Sequence, residues 1–298
     1  MTFNPNARLD PGEVEDRRGG GFGGFGGGGG FGGGRMGGSP IIVGGGGLGL
    51  LLTIALFVLN SGILGGSGIG GDVTGGGGPA SSALAECKTG QQANEREDCR
   101  IVGFVDSVQA FWSQTFQQSG QSYQGAPTVL FTDQTDTGCG PATTSVGPFY
   151  CPNDGKVYLD LGFFDELRTK LGATGGPLAE GYVVGHEYGH HIQDLLGQLS
   201  AGGGGQGANS QSVKTELQAD CYAGVWIDNA ASTGLLEKPT DAQIADALNA
   251  AAAVGDDRLQ QEFQGQVNPE TWTHGSSSQR QHWLTVGMQT GDPSKCTP

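Results

Sequence analysis

Basic residues are scarce in this chain. Its 298 residues include 15 Lys and Arg against 30 Asp and Glu, which gives a net charge of −15 at pH 7. Residues 1–40 balance four Arg against four acids, so the rest of the chain carries the whole excess of negative charge and shows no basic stripe. Because nucleic-acid binding needs clustered Lys and Arg opposite the phosphates, we predict no nucleic-acid partner.

Several common motifs are also missing. No GxGxxG follows a predicted strand, no P-loop pattern occurs and no internal repeat is evident, so the sequence does not indicate nucleotide binding. No CxxC pair is present either, which argues against a zinc site built from cysteines.

The six cysteines fit a disulfide framework instead. All of them follow residue 86, and an even number is typical of a compartment that permits disulfides. Nearness in sequence favours the pairs Cys87–Cys99 and Cys139–Cys151, which leaves Cys221–Cys296 to hold the C-terminus.

Glycine is abundant before residue 84. Much of the chain's 59 Gly lies there, in runs such as residues 19–34. Such a sequence loses much backbone entropy on folding and offers little to bury. We therefore predict a disordered tail over 1–40, a glycine-rich linker over 65–83 and one folded domain over 84–298, which is long enough for a full core.

An apolar segment without charged residues spans positions 41–64. Its 24 residues suffice for a helix across a bilayer. A buried core helix and a cleaved signal peptide are the alternatives, but the low-complexity flanks and the start after residue 40 disfavour them. The Arg residues before the segment predict a single-pass cell-membrane protein, with its N-terminus in the cytoplasm and its domain outside.

The remaining sequence alternates helical periodicity with short β-rich runs, which predicts an α+β fold. The run KVYLDL over 156–161 is predicted to be an edge strand along which an extended peptide lies. The segment between Cys139 and Cys151 is predicted either to shape that groove or to form a simple stapled hairpin.

The stretch GHEYGHHIQ over 185–193 carries the strongest chemical signal, because it contains the motif H-E-x-x-H. On a helix, His186 and His190 lie on one face one turn apart, so both imidazoles can reach one zinc ion. Glu187 is displaced by about 100° around the helix, where it can take a proton from a water that the metal activates.

A third ligand is needed, because a catalytic zinc generally has three protein ligands and one open position. Glu216 and Asp220 form E-x-x-x-D on a later helix, 26 residues after His190. Glu216 is the predicted third ligand, and Asp220 is predicted to accept the outer N–H of a zinc histidine, with His186 favoured.

The sequence GHEYGHHIQDLLG followed by ELQADCYAGVW resembles the putative neutral zinc metallopeptidase family of bacterial membrane-anchored proteins, a gluzincin-type zincin family. Similar stretches occur at 14–19, 137–167, 253–260 and 273–280. The resemblance implies a zincin-like fold, mainly helical with a small mixed sheet, here preceded by the transmembrane helix. It also implies the ligands His186, His190 and Glu216, with Glu187 as the base.

Other residues have weaker claims. His274 is predicted to stabilise the oxyanion of a tetrahedral intermediate, with support from Arg280 or Tyr222, because zincins place such groups outside the metal shell. A surface turn with a salt-bridged Arg explains His274 and Arg280 equally well. His191 and His282 are predicted to be packing residues.

We therefore predict an endopeptidase with one Zn²⁺ per chain, anchored to the lipid bilayer through residues 41–64 and acting on peptide or protein substrates outside the cytoplasm. The alternative is a catalytically inactive zincin-like scaffold that binds other proteins. A purely structural zinc fits poorly, since closed sites use four protein ligands. The oligomeric state is left open.

Overall fold

The computed structural model describes residues 1–19, 83–199 and 204–298. The helices in these ranges are α1 (Gly90–Glu95), α2 (Glu97–Gln118), α3 (Gly162–Thr169), α4 (Pro177–Leu195), α5 (Gln211–Asn229), α6 (Asp241–Ala253), α7 (Asp256–Gln264) and α8 (Ser277–Thr290). The strands are β1 (Val14–Asp16), β2 (Thr128–Phe131), β3 (Gln134–Thr137), β4 (Gly140–Thr143), β5 (Phe149–Cys151) and β6 (Lys156–Asp160).

A four-stranded sheet with the order β1-β2-β6-β5 lies against the helices. Strands β1, β2 and β6 run parallel, and β5 runs antiparallel to β6. A separate hairpin joins β3 to β4. The prediction of a mainly helical α+β fold with a small mixed sheet is confirmed.

Strand β6, which includes the run KVYLDL, lies inside the sheet and not at its edge. It pairs with β2 on one side and with β5 on the other. From Val157 to Asp160 its residues are buried, as is usual for a strand covered on both faces. The predicted edge strand is therefore wrong, and the two edges of this sheet are β1 and β5.

Residues 1–19 differ from the disordered tail predicted over 1–40. Met1, Phe3, Leu9 and Val14 are buried in the main core, and β1 pairs with β2. These apolar residues precede the glycine tract and supply the buried surface that the tract lacks. Gly103 makes room for the Phe3 ring, because a Cβ at this position would lie 2.3 Å from Phe3 Cε1.

No helix within the described ranges is both long enough and apolar enough to cross a membrane. The longest, α2, has 22 residues but includes Glu97, Asp98, Arg100 and Asp106. The predictions of a fold preceded by a transmembrane helix and of a single-pass membrane protein are therefore corrected. The range 41–64, through which contact with a bilayer was predicted, lies outside the described residues, as does the linker up to residue 82.

The predicted separation of the N-terminus and the domain by a membrane is also wrong. Strand β1 belongs to the same sheet as β2 and β6, and the N-terminal residues share one core with the helices. Two segments that pack into one core must lie in the same compartment.

The three predicted disulfides are confirmed. Cys87 is bonded to Cys99, Cys139 to Cys151 and Cys221 to Cys296. The last bond joins α5 to the C-terminal residues across 75 positions. The second joins the turn between β3 and β4 to the last residue of the edge strand β5.

Asn94 holds the N-terminal segment through its side-chain amide. Its Oδ1 accepts from the backbone N–H of Phe3 at 2.8 Å, and its Nδ2 donates to the carbonyl of Phe3 at 2.9 Å. We expect Asn94→Ala to weaken the docking by about 1–3 kcal/mol, because two partly buried backbone groups lose their partners. Limited proteolysis should cut residues 1–19 faster in this variant. Asn249→Ala is the control, because the half-buried Asn249 also accepts from a backbone N–H, that of Thr174, but does not hold the N-terminal segment. Equal cleavage rates in the two variants would contradict the role of Asn94.

Asp106 faces two acids of the same segment. Its Oδ2 accepts from the backbone N–H of Asp10, while its Oδ1 has no hydrogen-bond partner. Burial first, and then the charges of Glu13 and Asp10, raise the pKa of Asp106 to about 7 against the hydrogen bond from Asp10.

Because the folded pKa of this acid is raised, the folded state binds the proton more tightly, and the group costs stability as pH rises from about 4 to 7. We expect Asp106→Asn to be more stable than the wild type by about 1–3 kcal/mol at pH 8, after allowance for partial exposure. Urea unfolding should show little difference at pH 4. A constant difference between pH 4 and pH 8 would contradict the shifted pKa.

Candidate metal centre

Helix α4 carries the motif H-E-x-x-H and is buried along most of its length. Pro177 occupies its first turn, where no backbone donor is needed, and residues 178–193 are all buried. His186 and His190 lie one turn apart, and their ring centroids are 4.8 Å apart. The periodicity of the helix thus brings both rings to one face.

Helix α5 supplies the acidic partners. It begins after Ser210, whose side chain accepts from the N–H of Val213. The helix packs closely on α4 at Gly189, where a Cβ would lie 2.8 Å from the carbonyl oxygen of Ala219. This short distance between the helices brings Glu216 and Asp220 next to the histidines.

The three predicted ligands converge. His186 Nε2 lies 3.2 Å from Glu216 Oε2, and His190 Nε2 lies 3.5 Å from Glu216 Oε1. One ligand atom from each residue lies within 4.8 Å of the other two. Donors at 2.0–2.1 Å from a tetrahedral zinc ion lie about 3.3 Å apart, so the spacing of these nitrogens and oxygens fits one such ion.

Asp220 holds His186 from the side opposite to Glu216. Its Oδ1 lies 2.8 Å from His186 Nδ1 and accepts from the hydroxyl of Tyr182 at 2.6 Å. Arg280 donates to both carboxylate oxygens at 2.9 Å. The carboxylate is fully buried, so these bonds fix His186 with Nδ1 protonated and Nε2 directed at Glu216.

The charges of the site favour a cation. Burial opposes a charge on His186, but Asp220 and Glu216 outweigh it and raise the pKa of the imidazole to about 10. Burial also opposes a charge on Glu216 and would by itself raise the pKa of this acid. His190 and His186 outweigh burial and lower the pKa of Glu216 well below its usual range. A carboxylate that stays ionised in a buried pocket is a suitable metal ligand.

Glu187 lies in the same cleft as the ligands and is 7% exposed. Burial raises its pKa, although His186 and His190 act in the opposite direction. A buried carboxylate with a raised pKa is a stronger base than an ordinary one, as proton abstraction from water requires.

The structure also brings His274 into the cleft. Asp256 orients it: Oδ2 accepts from the backbone N–H groups of Thr273, His274 and Gly275 at 2.7–3.0 Å, and Oδ1 lies 3.2 Å from His274 Nδ1. Burial lowers the pKa of His274, but Asp256 outweighs it and the net shift is upward. Asp256 thus fixes the Nδ1 side of the ring beside the cleft.

Tyr222 is not brought to the site. Its hydroxyl donates to Gln198 at 3.1 Å, and its ring packs edge-on against Trp112 at 5.5 Å. Tyr222 follows Asp220 by two positions, which places it about 200° away around α5. The prediction that Tyr222 supports the transition state is therefore not matched by its position.

The other candidates among the histidines pack elsewhere. His191 Nε2 lies 2.7 Å from the carbonyl of Gln124, and its ring contacts Tyr150 and Tyr123. His282 contacts Trp283 edge-on at 5.6 Å. Both positions agree with the packing roles predicted for them.

Two residues of the site escaped the sequence analysis. Tyr182 donates to Asp220, and Gln193 contacts His190 Nδ1 through Oε1 at 2.9 Å. Both lie on α4, at helical spacing from a predicted ligand. Tyr182 is four residues before His186, and Gln193 is three residues after His190. That spacing is the signal that could have found them.

The cleft beside the metal centre has mostly apolar walls. These walls come from β5 and the residue before it, from α3 and α4, and from the residue that follows α6. The apolar side chains are those of Pro148, Phe149, Phe163, Val183 and Val254. The charged or ionisable side chains among its lining residues are those of the site itself, together with Tyr150 and Tyr182. The cleft therefore offers an apolar surface beside the polar groups of the site.

Comparison with known proteins agrees with the site. A family model described as putative neutral zinc metallopeptidase matches residues 4–298. The uncharacterized protein Rv2575 of Mycobacterium tuberculosis is 54% identical over 221 residues, which cover 72% of this chain and 74% of that protein. The uncharacterized protein YpfJ of Escherichia coli K12 is 45% identical over 210 residues, which cover 68% of this chain and 72% of that protein.

No solved structure matches the chain. The family match includes β1 at its N-terminal end and both helices that carry the candidate ligands. The chain belongs to the putative neutral zinc metallopeptidase family.

Proposed function

We propose that the protein is a zinc-dependent endopeptidase that hydrolyses peptide bonds with a water molecule. The observation that supports this most directly is the convergence of His186, His190 and Glu216 beside Glu187 in one cleft. Three donors and an adjacent base are the set that a catalytic zinc needs, whereas a structural zinc has four protein ligands.

When bound, zinc would act as a Lewis acid that polarises the peptide carbonyl and increases the acidity of a water molecule. Glu187 takes the proton of that water as the oxygen attacks the carbonyl carbon. The same carboxyl group then gives the proton to the leaving amine, because Glu187 lines the cleft in which the scissile bond is proposed to lie.

His274 stabilises the negative charge that develops on the carbonyl oxygen. Asp256 accepts from Nδ1–H of His274, so Nε2 carries a donor N–H only when the ring is positively charged. The upward shift in the pKa of His274 favours that charged form, which can donate to the developing oxyanion. Arg280 acts through Asp220 on the orientation of His186.

Strand β5 is the proposed support for the substrate backbone. It is an edge of the four-stranded sheet, and Phe149 and Tyr150 line the cleft. An extended peptide can add to such an edge by main-chain hydrogen bonds, while its side chains enter the apolar part of the cleft.

The test is cleavage of a peptide library by the zinc-loaded protein. We expect turnover that stops when a chelator removes zinc and returns when one equivalent of zinc is restored. If zinc binds at one equivalent and no library peptide is cleaved, the peptidase proposal fails in favour of the scaffold alternative. If no zinc binds, the metal site itself fails.

A further inference from the structure

Gln193 is a buried glutamine that serves one metal ligand and has no part in the proposed reaction. Its side chain is fully buried at the end of α4. Oε1 lies 2.9 Å from His190 Nδ1, and Nε2 lies 2.7 Å from the carbonyl oxygen of Thr215 and 2.9 Å from Gln218 Oε1. Every polar atom of the amide therefore has a partner.

The orientation of this amide is determined by its neighbours. The Thr215 carbonyl can only accept a hydrogen bond, so the nearest amide atom must be the NH₂ group. With the amide reversed, two oxygens would face each other at 2.7 Å, in a buried environment where such repulsion is strong. Gln193 therefore presents an acceptor to His190, and Nδ1 of His190 must carry the proton.

Gln218 supports the same orientation from the other end. Its Nε2 donates to the carbonyl oxygen of Cys296 at 2.9 Å, which directs its Oε1 at the Gln193 NH₂ group. Cys296 is held to α5 by its disulfide with Cys221. A directional chain of hydrogen-bond donors thus runs from His190 through Gln193 and Gln218 to the carbonyl oxygen of Cys296.

We infer that Gln193 is a positioning residue that holds His190 in the tautomer with Nδ1 protonated, so that Nε2 keeps its lone pair for zinc. The inference rests on the metal-binding part of the proposed function and not on peptide hydrolysis. His186 receives the same tautomer from Asp220, whose charge Arg280 balances. The neutral Gln193 fixes His190 without adding another negative charge to the buried site.

The test compares zinc affinity in variants of the full chain. We expect Gln193→Met, which keeps the volume but removes the acceptor, to raise the zinc dissociation constant by about 10- to 100-fold in a chelator competition. Gln109→Met is the matched control, since Gln109 is a buried glutamine on α2 bonded to Glu13, Tyr123 and Ala126.

A second measurement can be made first on the wild type alone. With Co²⁺ in place of zinc, each histidine bound through Nε2 should give one shifted, exchangeable N–H proton in the NMR spectrum. We expect two such protons in the wild type and, where Gln193→Met folds, faster exchange of one of them.

The outcomes separate two failures. If the wild type binds neither zinc nor Co²⁺, the metal-binding part of the proposed function fails. If the wild type binds the metal but shows only one exchangeable ring proton, or if Gln193→Met binds zinc as tightly as Gln109→Met, the role of Gln193 is overturned.

Discussion

Glu187→Gln is expected to keep one zinc per chain and to lose about 10²- to 10⁴-fold in kcat for peptide hydrolysis. Glutamine has nearly the shape of glutamate but cannot take a proton from water. Glu187 is not one of the three converging ligands, so the metal should remain bound. Metal analysis and kcat, measured on the same preparation, provide both results.

The matched control is Glu180→Gln. Glu180 is a second buried glutamate of α4, and it pairs with Arg100 at 2.6 Å outside the cleft. This variant should lose stability, because Arg100 loses its charged partner, but it should keep kcat per folded molecule. Turnover by zinc-loaded Glu187→Gln within tenfold of the wild type would show that Glu187 is not the base.

Arg280→Met is expected to destabilise the metal-free protein by about 3–5 kcal/mol. Burial alone would raise the pKa of Asp220, but Arg280 and His186 outweigh it and lower the pKa to about 2. Without Arg280, a fully buried carboxylate keeps only His186 and Tyr182 as partners. Urea unfolding at pH 7 measures the loss.

The double variant Asp220→Asn with Arg280→Met removes both charges together. We expect it to be more stable than the sum of the two single variants predicts, since only the double variant leaves neither charge of the pair buried without its partner. If Arg280 instead contacted substrate in the cleft and did not stabilise Asp220, Arg280→Met would lower the free energy of unfolding by less than about 1 kcal/mol. That result would contradict the structural role of Arg280.

The sequence predicted the parts of the site that depend on one helix at a time. The spacing of His186 and His190, and of Glu216 and Asp220, follows from 3.6 residues per turn and needs no knowledge of the fold. That the two helices lie side by side was inferred from chemistry, because a catalytic zinc generally has a third protein ligand. The distances between Glu216 and both histidines agree with that reasoning.

The misplaced features depend on contacts between distant parts of the chain. Strand β1 pairs with residues more than a hundred positions away, and no local pattern of three residues can show this. Strand β6 is internal because it pairs with β2, 29 positions earlier, as well as with the nearby β5, and its own sequence does not show the pairing with β2. Tyr222 was a candidate donor to the transition state, and the turn of α5 carries it to another face than that of Asp220.

The site depends on residues that follow H-E-x-x-H far along the chain. Arg280 secures Asp220, and Cys296 closes the covalent link to the neighbouring Cys221. Because the ribosome makes proteins from the N-terminus, H-E-x-x-H is synthesised about a hundred residues before these last supports. A chain that stopped before Arg280 would thus carry the motif without the contacts that secure Asp220 and, through it, His186.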